Sequence, residues 1–455
     1  MPSTPAIHDD MLSDQTLIRL LRSERLVRRD GGAIRLVVAG LVFAVLAALT
    51  MYYAVLVRTM ASDTFRFNDF GKFYYSARMF LDGEDMYGPS PATTMPVGGS
   101  AVRPFLNMNP PHFHLLLLPL AMLPLQTAAI IWAFASALAL AYSLRVVFSE
   151  LGFHSTPAQS IWLLLAIFAF SATATTLLTG QVSLLLLPLV THAWRAARRD
   201  RWAMAGALLG VLISIKPFLL IFLPWFVLTR RWRAAAAAAL AIAAAFVVGV
   251  AVFGMAAHAA WVRALDATNW TWAAMNGSTM GLISRAFAQS PYYAPLSHLP
   301  SVVTPLWLAS ALVIAAISVL AASFDRSSES VDRAFFLLLM GSFLASPLGW
   351  VYYLWLPVPA AAALVLNARR RRAQTNARVR GRNLLLWLAV PGLVWPLPLI
   401  LVGQPNPLAT VTIGSIYFWT TFFLWCAAFI DGWAERCYQP AYTIRDFVRP
   451  NTRSR

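Results

Sequence analysis

Residues 230–254 read RRWRAAAAAALAIAAAFVVGVAVFG: three arginines, then a run at 234–254 without a single charge. About 20 apolar residues is the length that crosses a bilayer as a helix, the form that satisfies its own backbone in hydrocarbon. The pattern recurs on both sides. Apolar runs fall at 34–56, 126–147, 160–178, 181–194, 202–214, 218–229, 234–254, 302–323, 334–346, 350–366, 383–403 and 411–430. An extra short run at 112–124 enters the apolar layer without clearly crossing it. This predicts an all-α polytopic membrane protein of about 12 crossings. The runs 181–194, 202–214 and 218–229 are too short for a full crossing, so their outer ends must face protein or a water-filled cavity. The breaks beside them, Gly180-Gln181 and Lys216-Pro217, are then expected to line that cavity.

Composition agrees. Of 455 residues, 59% are hydrophobic and 12% charged, where a soluble chain carries roughly 25% charged. The net charge of +17 comes from 36 basic and 19 acidic side chains, and 34 of the 36 are arginine. In a soluble chain this excess would suggest nucleic acid. Here the arginines cluster between apolar runs, as cytoplasmic loops require, and no nucleic-acid partner is expected. With the N-terminus inside, 28 of the 36 cations fall inside and 8 outside. The expected organisation is a cytoplasmic segment 1–33, one transmembrane domain 34–430 with outer loops 57–111 and 255–301, and a cytoplasmic basic tail 431–455. The setting is a bacterial-type inner (plasma) membrane. The first run, preceded by too long a polar segment for a cleavable signal, reads as a retained anchor. Cys426 and Cys437 offer neither a disulfide framework nor a metal cluster.

Few residues can carry chemistry. Asp69 precedes Phe70, Phe73, Tyr74, Ala77, Phe80 and Leu81, the spacing of an amphipathic helix, with Gly83 at its end. Asp69 is either the N-cap of that helix or a general base at the membrane surface. Lys72 and Lys216 are the two lysines of the chain, both placed outside. Lys216 sits between short apolar runs, where a cation either meets a phosphate or snorkels to the interface. Arg285, after Asn276-Gly277-Ser278, is a second phosphate candidate. His112 and His114, behind Asn109-Pro110-Pro111, do not share a helix face and lack a carboxylate cluster, so they read as hydrogen-bonding residues and not metal ligands. The sequence has no nucleotide-binding loop, no nucleophile elbow and no zinc motif.

Asn68-Asp69-Phe70, Tyr74-Tyr75-Ser76-Ala77-Arg78, Asp82-Gly83 and Tyr87 together resemble the first outer loop of glycosyltransferase family 87. Pro110-Pro111, Pro119-Leu120, Gly180-Gln181, Lys216-Pro217, Asn276 with Ser278 and Arg285, and Ser346-Pro347 with Trp350 and Tyr353 extend the likeness from 68 to 353. Gly277 stands where the family tends to have Gln, and Tyr352 and Tyr353 where it often has His. The resemblance implies a GT-C-like helix bundle with short outer-side amphipathic helices. It implies a hexosyltransferase that moves a sugar (a mannose-like hexose or a pentose) from a polyprenyl phosphate to a lipid-linked or cell-envelope glycan acceptor, inverting, on the outer face. Asp69 is then the base, and Lys216, Arg285 and Lys72 bind the donor phosphate. Tyr74, His112, His114, Gln181, Asn276, Trp350 and Tyr353 are expected to bind substrate. No metal or other cofactor is expected; the partners are the donor, a glycan or glycolipid acceptor and membrane lipid. Two rivals remain: a transporter or flippase of lipid-linked saccharides, which needs no base, and a structural subunit of envelope-polysaccharide assembly, which needs no deep cavity.

Overall fold

The computed structural model of the chain describes residues 46–47, 49–55, 57–58, 62, 68–97, 101–104, 106–266, 270–290, 293–325, 329–370, 377–394 and 406–436. The expectations for segment 1–33, most of the 34–56 run, the end of the 383–403 run and the tail beyond 436 lie outside these residues. Two compact units divide the chain, Met1–Arg58 and Thr59–Arg455. The described part of the first consists of helical turns between 46 and 58, where the rings of Tyr52 and Tyr53 meet edge to face.

The described residues of the second unit are mostly helical. Helix α1, Asp69–Leu81, starts where the Asn68 side chain accepts the Gly71 N–H at 2.9 Å, and it ends at Asp82, before Gly83 at φ +78. Its buried face carries Phe70, Phe73, Tyr74 and Ala77, the predicted spacing. An antiparallel hairpin then pairs β1, Thr94–Val97, with β2, Ala101–Pro104. The 112–124 run forms a 3₁₀ helix, Pro111–Leu116, and a turn, Leu118–Ala121. There follow α2 (Leu125–Leu151), α3 (Pro157–Ala169), α4 (Ser171–Thr179), α5 (Ser183–Arg198), α6 (Trp202–Ile215), α7 (Phe222–Leu228), α8 (Trp232–Asp266), α9 (Thr279–Phe287), α10 (Val303–Phe324), α11 (Ser330–Ala345), α12 (Val358–Arg370), α13 (Ala377–Val394) and α14 (Ile416–Arg436).

Among the described residues, four helical stretches are long and apolar enough to cross a membrane: α2, α8, 300–324 and 407–430. There are five if α3 and α4, bent by 53° at their junction, count as one. That departs from the twelve crossings read from the apolar runs. Helix α11 shows one reason: its 16 residues are short for a full crossing, and from Asp332 to Leu344 it is buried among neighbouring helices. Hydropathy alone cannot separate that from lipid contact. Helix α8 departs from helical geometry at Gly254, φ +80 and ψ 164. Residues 232–253 before that break rise roughly 33 Å at 1.5 Å per residue, about one hydrocarbon thickness.

Small residues set the closest helix contact. A Cβ on Gly206 would lie 2.1 Å from the Ala234 carbonyl oxygen, and one on Gly210 would lie 2.5 Å from that of Ala238. Gly206 and Gly210 stand four apart on α6, as Ala234 and Ala238 do on α8, so the backbones approach without side chains between them. Gly210→Val forces those helices apart. We expect it to destabilise the fold by about 1–3 kcal/mol, read as a lowered unfolding temperature; an unchanged temperature would show that α8 can move away freely.

Where α5 ends and α11 begins, arginines find partners. Arg198 Nη1 donates to both carboxylate oxygens of Asp332, at 2.7 and 2.6 Å, and Trp194 Nε1 donates to the same group at 2.8 Å. Arg333 pairs with Asp325 at 2.5 Å, both side chains buried. Breaking one member of such a pair costs about 3–5 kcal/mol, because the other charge stays buried.

Candidate functional site

The start of α1 is docked on the α4–α5 junction. Gly180 adopts φ +65, and a Cβ there would lie 2.4 Å from Phe70 Cβ, so glycine is required twice over. Trp132 Nε1 donates to the Gly180 carbonyl at 2.8 Å, and Asn68 Nδ2 donates to that of Leu178 at 3.4 Å. This seats Gln181 beside Asp69: Gln181 Nε2 donates to Asp69 Oδ2 at 2.6 Å. The Val182 N–H donates to Gln181 Oε1 at 3.3 Å, which fixes the orientation of the amide. Lys72 Nζ, one turn along α1, lies 2.6 Å from Asp69 Oδ1 and 4.5 Å over the Trp270 ring. The alternative that Asp69 caps the helix is thereby corrected. Asn68 is the cap, and Asp69 is the first helical residue, with its carboxylate turned to Lys72 and Gln181.

Lys216 is placed by its neighbour. Pro217 lacks an N–H and disfavours helix in the residue before it, so α6 stops at Ile215 and leaves Lys216 at φ −130, ψ 84. The side chain is buried, donates from Nζ to Asn109 Oδ1 at 2.8 Å and lies 5.4 Å over the Tyr353 ring. Those partners are neutral. Asn109 Nδ2 donates to Asn107 Oδ1 at 3.1 Å, and Asn107 Nδ2 faces Ser76 Oγ at 3.0 Å and His114 Nε2. Since an amide N–H₂ only donates, His114 Nε2 is an acceptor and its proton sits on Nδ1, 3.2 Å from the Pro111 carbonyl. His114 is therefore a neutral relay that orients Asn109. The loop carrying both asparagines is pinned further by Tyr87 Oη to the Asn109 carbonyl, 2.6 Å, and by Trp261 Nε1 to that of Met108, 3.0 Å. Burial, with Asp85 nearby, pushes the Tyr87 phenol up, so it remains a donor.

These groups open into one cavity of about 1240 Å³. Asp69, Lys72, Gln181, Lys216, Trp350 and Tyr353 all line it. The remaining wall is largely apolar, and Leu220, Leu228, Leu312 and Leu320 in it are exposed at the protein surface. Asn107, Asn109, Trp270 and Tyr352 also line the cavity, and sequence reading did not select them as site residues. For the asparagines the available signal was their place just before Pro110-Pro111. For Tyr352 it was adjacency to Tyr353. No group of three or more potential metal ligands occurs among the described residues.

Five expected binding residues lie elsewhere. Tyr74 is buried against Phe70 and Tyr75, and its hydroxyl donates to the Leu123 carbonyl at 2.6 Å. His112 Nε2 lies 3.1 Å from the Ser214 carbonyl, and His114 sits in the asparagine relay. Asn276 is a loop staple: Nδ2 donates to the Pro347 carbonyl at 2.9 Å, Oδ1 accepts the Gly349 N–H at 2.9 Å, and so the Trp350 loop is held. Arg285 is fully buried and not a free phosphate ligand. Its Nε donates to Ser415 Oγ at 2.9 Å, and its Nη atoms to the carbonyls of Ala273 and Asn276. Burial pulls the guanidinium down to about 10. Gly277 fits this packing, because a Cβ would lie 2.9 Å from the Tyr417 carbonyl oxygen.

Fold and site thus define a multi-pass helical membrane protein with a carboxylate, two lysines and indole rings around one large cavity. The chain belongs to glycosyltransferase family 87, whose model matches residues 107–347. A relative in Mycobacterium tuberculosis (strain CDC 1551 / Oshkosh), a polyprenol-phosphate-mannose-dependent alpha-(1-2)-phosphatidylinositol pentamannoside mannosyltransferase, is 28% identical over 306 residues. The match covers 65% of this chain and spans 65% of the relative's length. Another, a polyprenol-phosphate-mannose-dependent alpha-(1-2)-phosphatidylinositol mannoside mannosyltransferase of Mycobacterium tuberculosis (strain ATCC 25618 / H37Rv), is 25% identical, covering 71% of this chain and 76% of its own. No solved structure matches the chain.

Proposed function

We propose that the protein is a GT-C-type membrane hexosyltransferase that moves a mannose-like sugar from a polyprenyl phosphate to a glycolipid acceptor. The observation that carries this is Asp69 and Lys216 lining the same cavity, a base and a buried cation whose described partners are neutral. A carboxylate offers about four acceptor positions and Asp69 has two in use, so a hydroxyl of the acceptor can still approach. Asp69 takes the proton of that hydroxyl as its oxygen attacks the anomeric carbon. The bond to the phosphate breaks with its electron pair on the phosphate oxygen, and Lys216 stabilises the departing dianion. One displacement inverts the anomeric centre. The exposed leucines of the wall suit a donor whose tail stays in lipid, and the indoles of Trp270 and Trp350 suit a sugar face. The active side would be the outer one, and both termini cytoplasmic, a reading that the arginine distribution supports.

The relatives' names supply the assay. Purified protein in lipid nanodiscs should move radiolabelled mannose from polyprenyl-phosphate-mannose to a phosphatidylinositol mannoside. Translocation of intact donor without labelled product would instead establish the transporter.

A further inference from the structure

A second hollow, about 140 Å³, lies where α5 ends and α6 begins, lined by His192, Arg195, Arg199, Arg201 and Met204. Helix α6 rises roughly 20 Å from here to Lys216, so the hollow is separate from the substrate cavity. Its cations are arranged. Glu150, largely buried, accepts Arg195 Nε at 3.1 Å and Arg199 Nη2 at 2.7 Å, which leaves donors on both guanidiniums for another anion. The Arg201 side chain has no hydrogen bond or ion pair among the described residues. One carboxylate against three guanidiniums leaves the hollow net positive. His192, on the same rim, shares a 2.8 Å hydrogen bond with the exposed Tyr142, and Met204 beside it is exposed.

We propose that this hollow binds the phosphate of an anionic phospholipid. Guanidinium forks match phosphate oxygens, and exposed Tyr142 and Met204 give the first part of the acyl chains an apolar edge. The end of the helices involved is the one the arginine distribution assigns to the cytoplasm, where anionic headgroups meet basic pockets between helices. Topology alone explains why arginines are abundant here. It does not explain a buried glutamate aligning two of them around a hollow with a third. The proposal stands apart from the transfer reading, since it involves no residue of the substrate cavity.

The test uses the full chain in nanodiscs of phosphatidylcholine containing a minor fraction of phosphatidylglycerol, with retained lipids counted by native mass spectrometry. Wild type should retain phosphatidylglycerol preferentially. At about 1 kcal/mol per surface arginine, Arg199→Gln and Arg201→Gln should each lower that retention about fivefold, and the double variant about twenty-fivefold. Arg201→Gln removes no hydrogen bond or ion pair within the described residues, so its unfolding temperature should match wild type and a loss of lipid cannot be laid to misfolding. Equal retention by the double variant overturns the proposal. So does displacement of the lipid by inorganic phosphate alone at matched concentration, which would make the site one for a soluble anion.

Discussion

Asp69→Asn is expected to reduce sugar transfer by about 10²–10⁴ while donor binding persists, the range that general-base catalysis contributes. The structure sharpens the controls. Because Asn68 caps α1, replacing Asp69 leaves the cap in place, whereas Asn68→Ala should cost about 1 kcal/mol of stability without abolishing chemistry. The asparagine amide has a single oxygen. An N–H₂ group replaces the other carboxylate oxygen and meets either the Gln181 amide or the Lys72 ammonium donor to donor, so some local loss of order is expected alongside the loss of the base. Unfolding temperature and donor affinity, measured with the rate, separate the two effects. A variant that folds, binds donor and transfers at the wild-type rate would remove the base from the mechanism and favour the transporter reading.

Much of this site is legible because charge is scarce. In an apolar chain Asp69 and Lys216 stand out, and the Gly180-Gln181 and Lys216-Pro217 breaks mark where backbone leaves the helix and lines a cavity. Asn107 and Asn109 do not stand out, since asparagine before proline is an ordinary loop residue; only the fold brings Asn109 within 2.8 Å of Lys216. Arg285 misleads for the opposite reason. A cation in a loop suggests an anionic ligand, but backbone carbonyls of Ala273 and Asn276, far less visible in sequence, claim it. The number of crossings is not legible in hydropathy alone, because leucine and phenylalanine in α11 look the same whether they meet lipid or Phe222 and Trp225.

Lys216→Met tests the other half of the chemistry. Methionine keeps most of the side-chain length and removes the charge. A cation held below the surface against neutral partners costs at least a few kcal/mol, and Asn109 and Tyr353 offset only part of that. The variant should therefore fold at least as stably as wild type. It should bind polyprenyl phosphate more weakly and turn over about 10²–10³ more slowly, the loss seen when one donor to a developing anion is removed. The slowing should be smaller for a donor whose leaving group needs less stabilisation, such as one with a more acidic phosphate. Lys216→Arg should recover only part of the rate, because a planar guanidinium cannot occupy the space of an ammonium between Asn109 Oδ1 and the Tyr353 ring. If methionine left donor affinity and turnover untouched, Lys216 would be a snorkelling residue and the leaving phosphate would need another partner. Lys72, already paired with Asp69, is the remaining lysine lining that cavity.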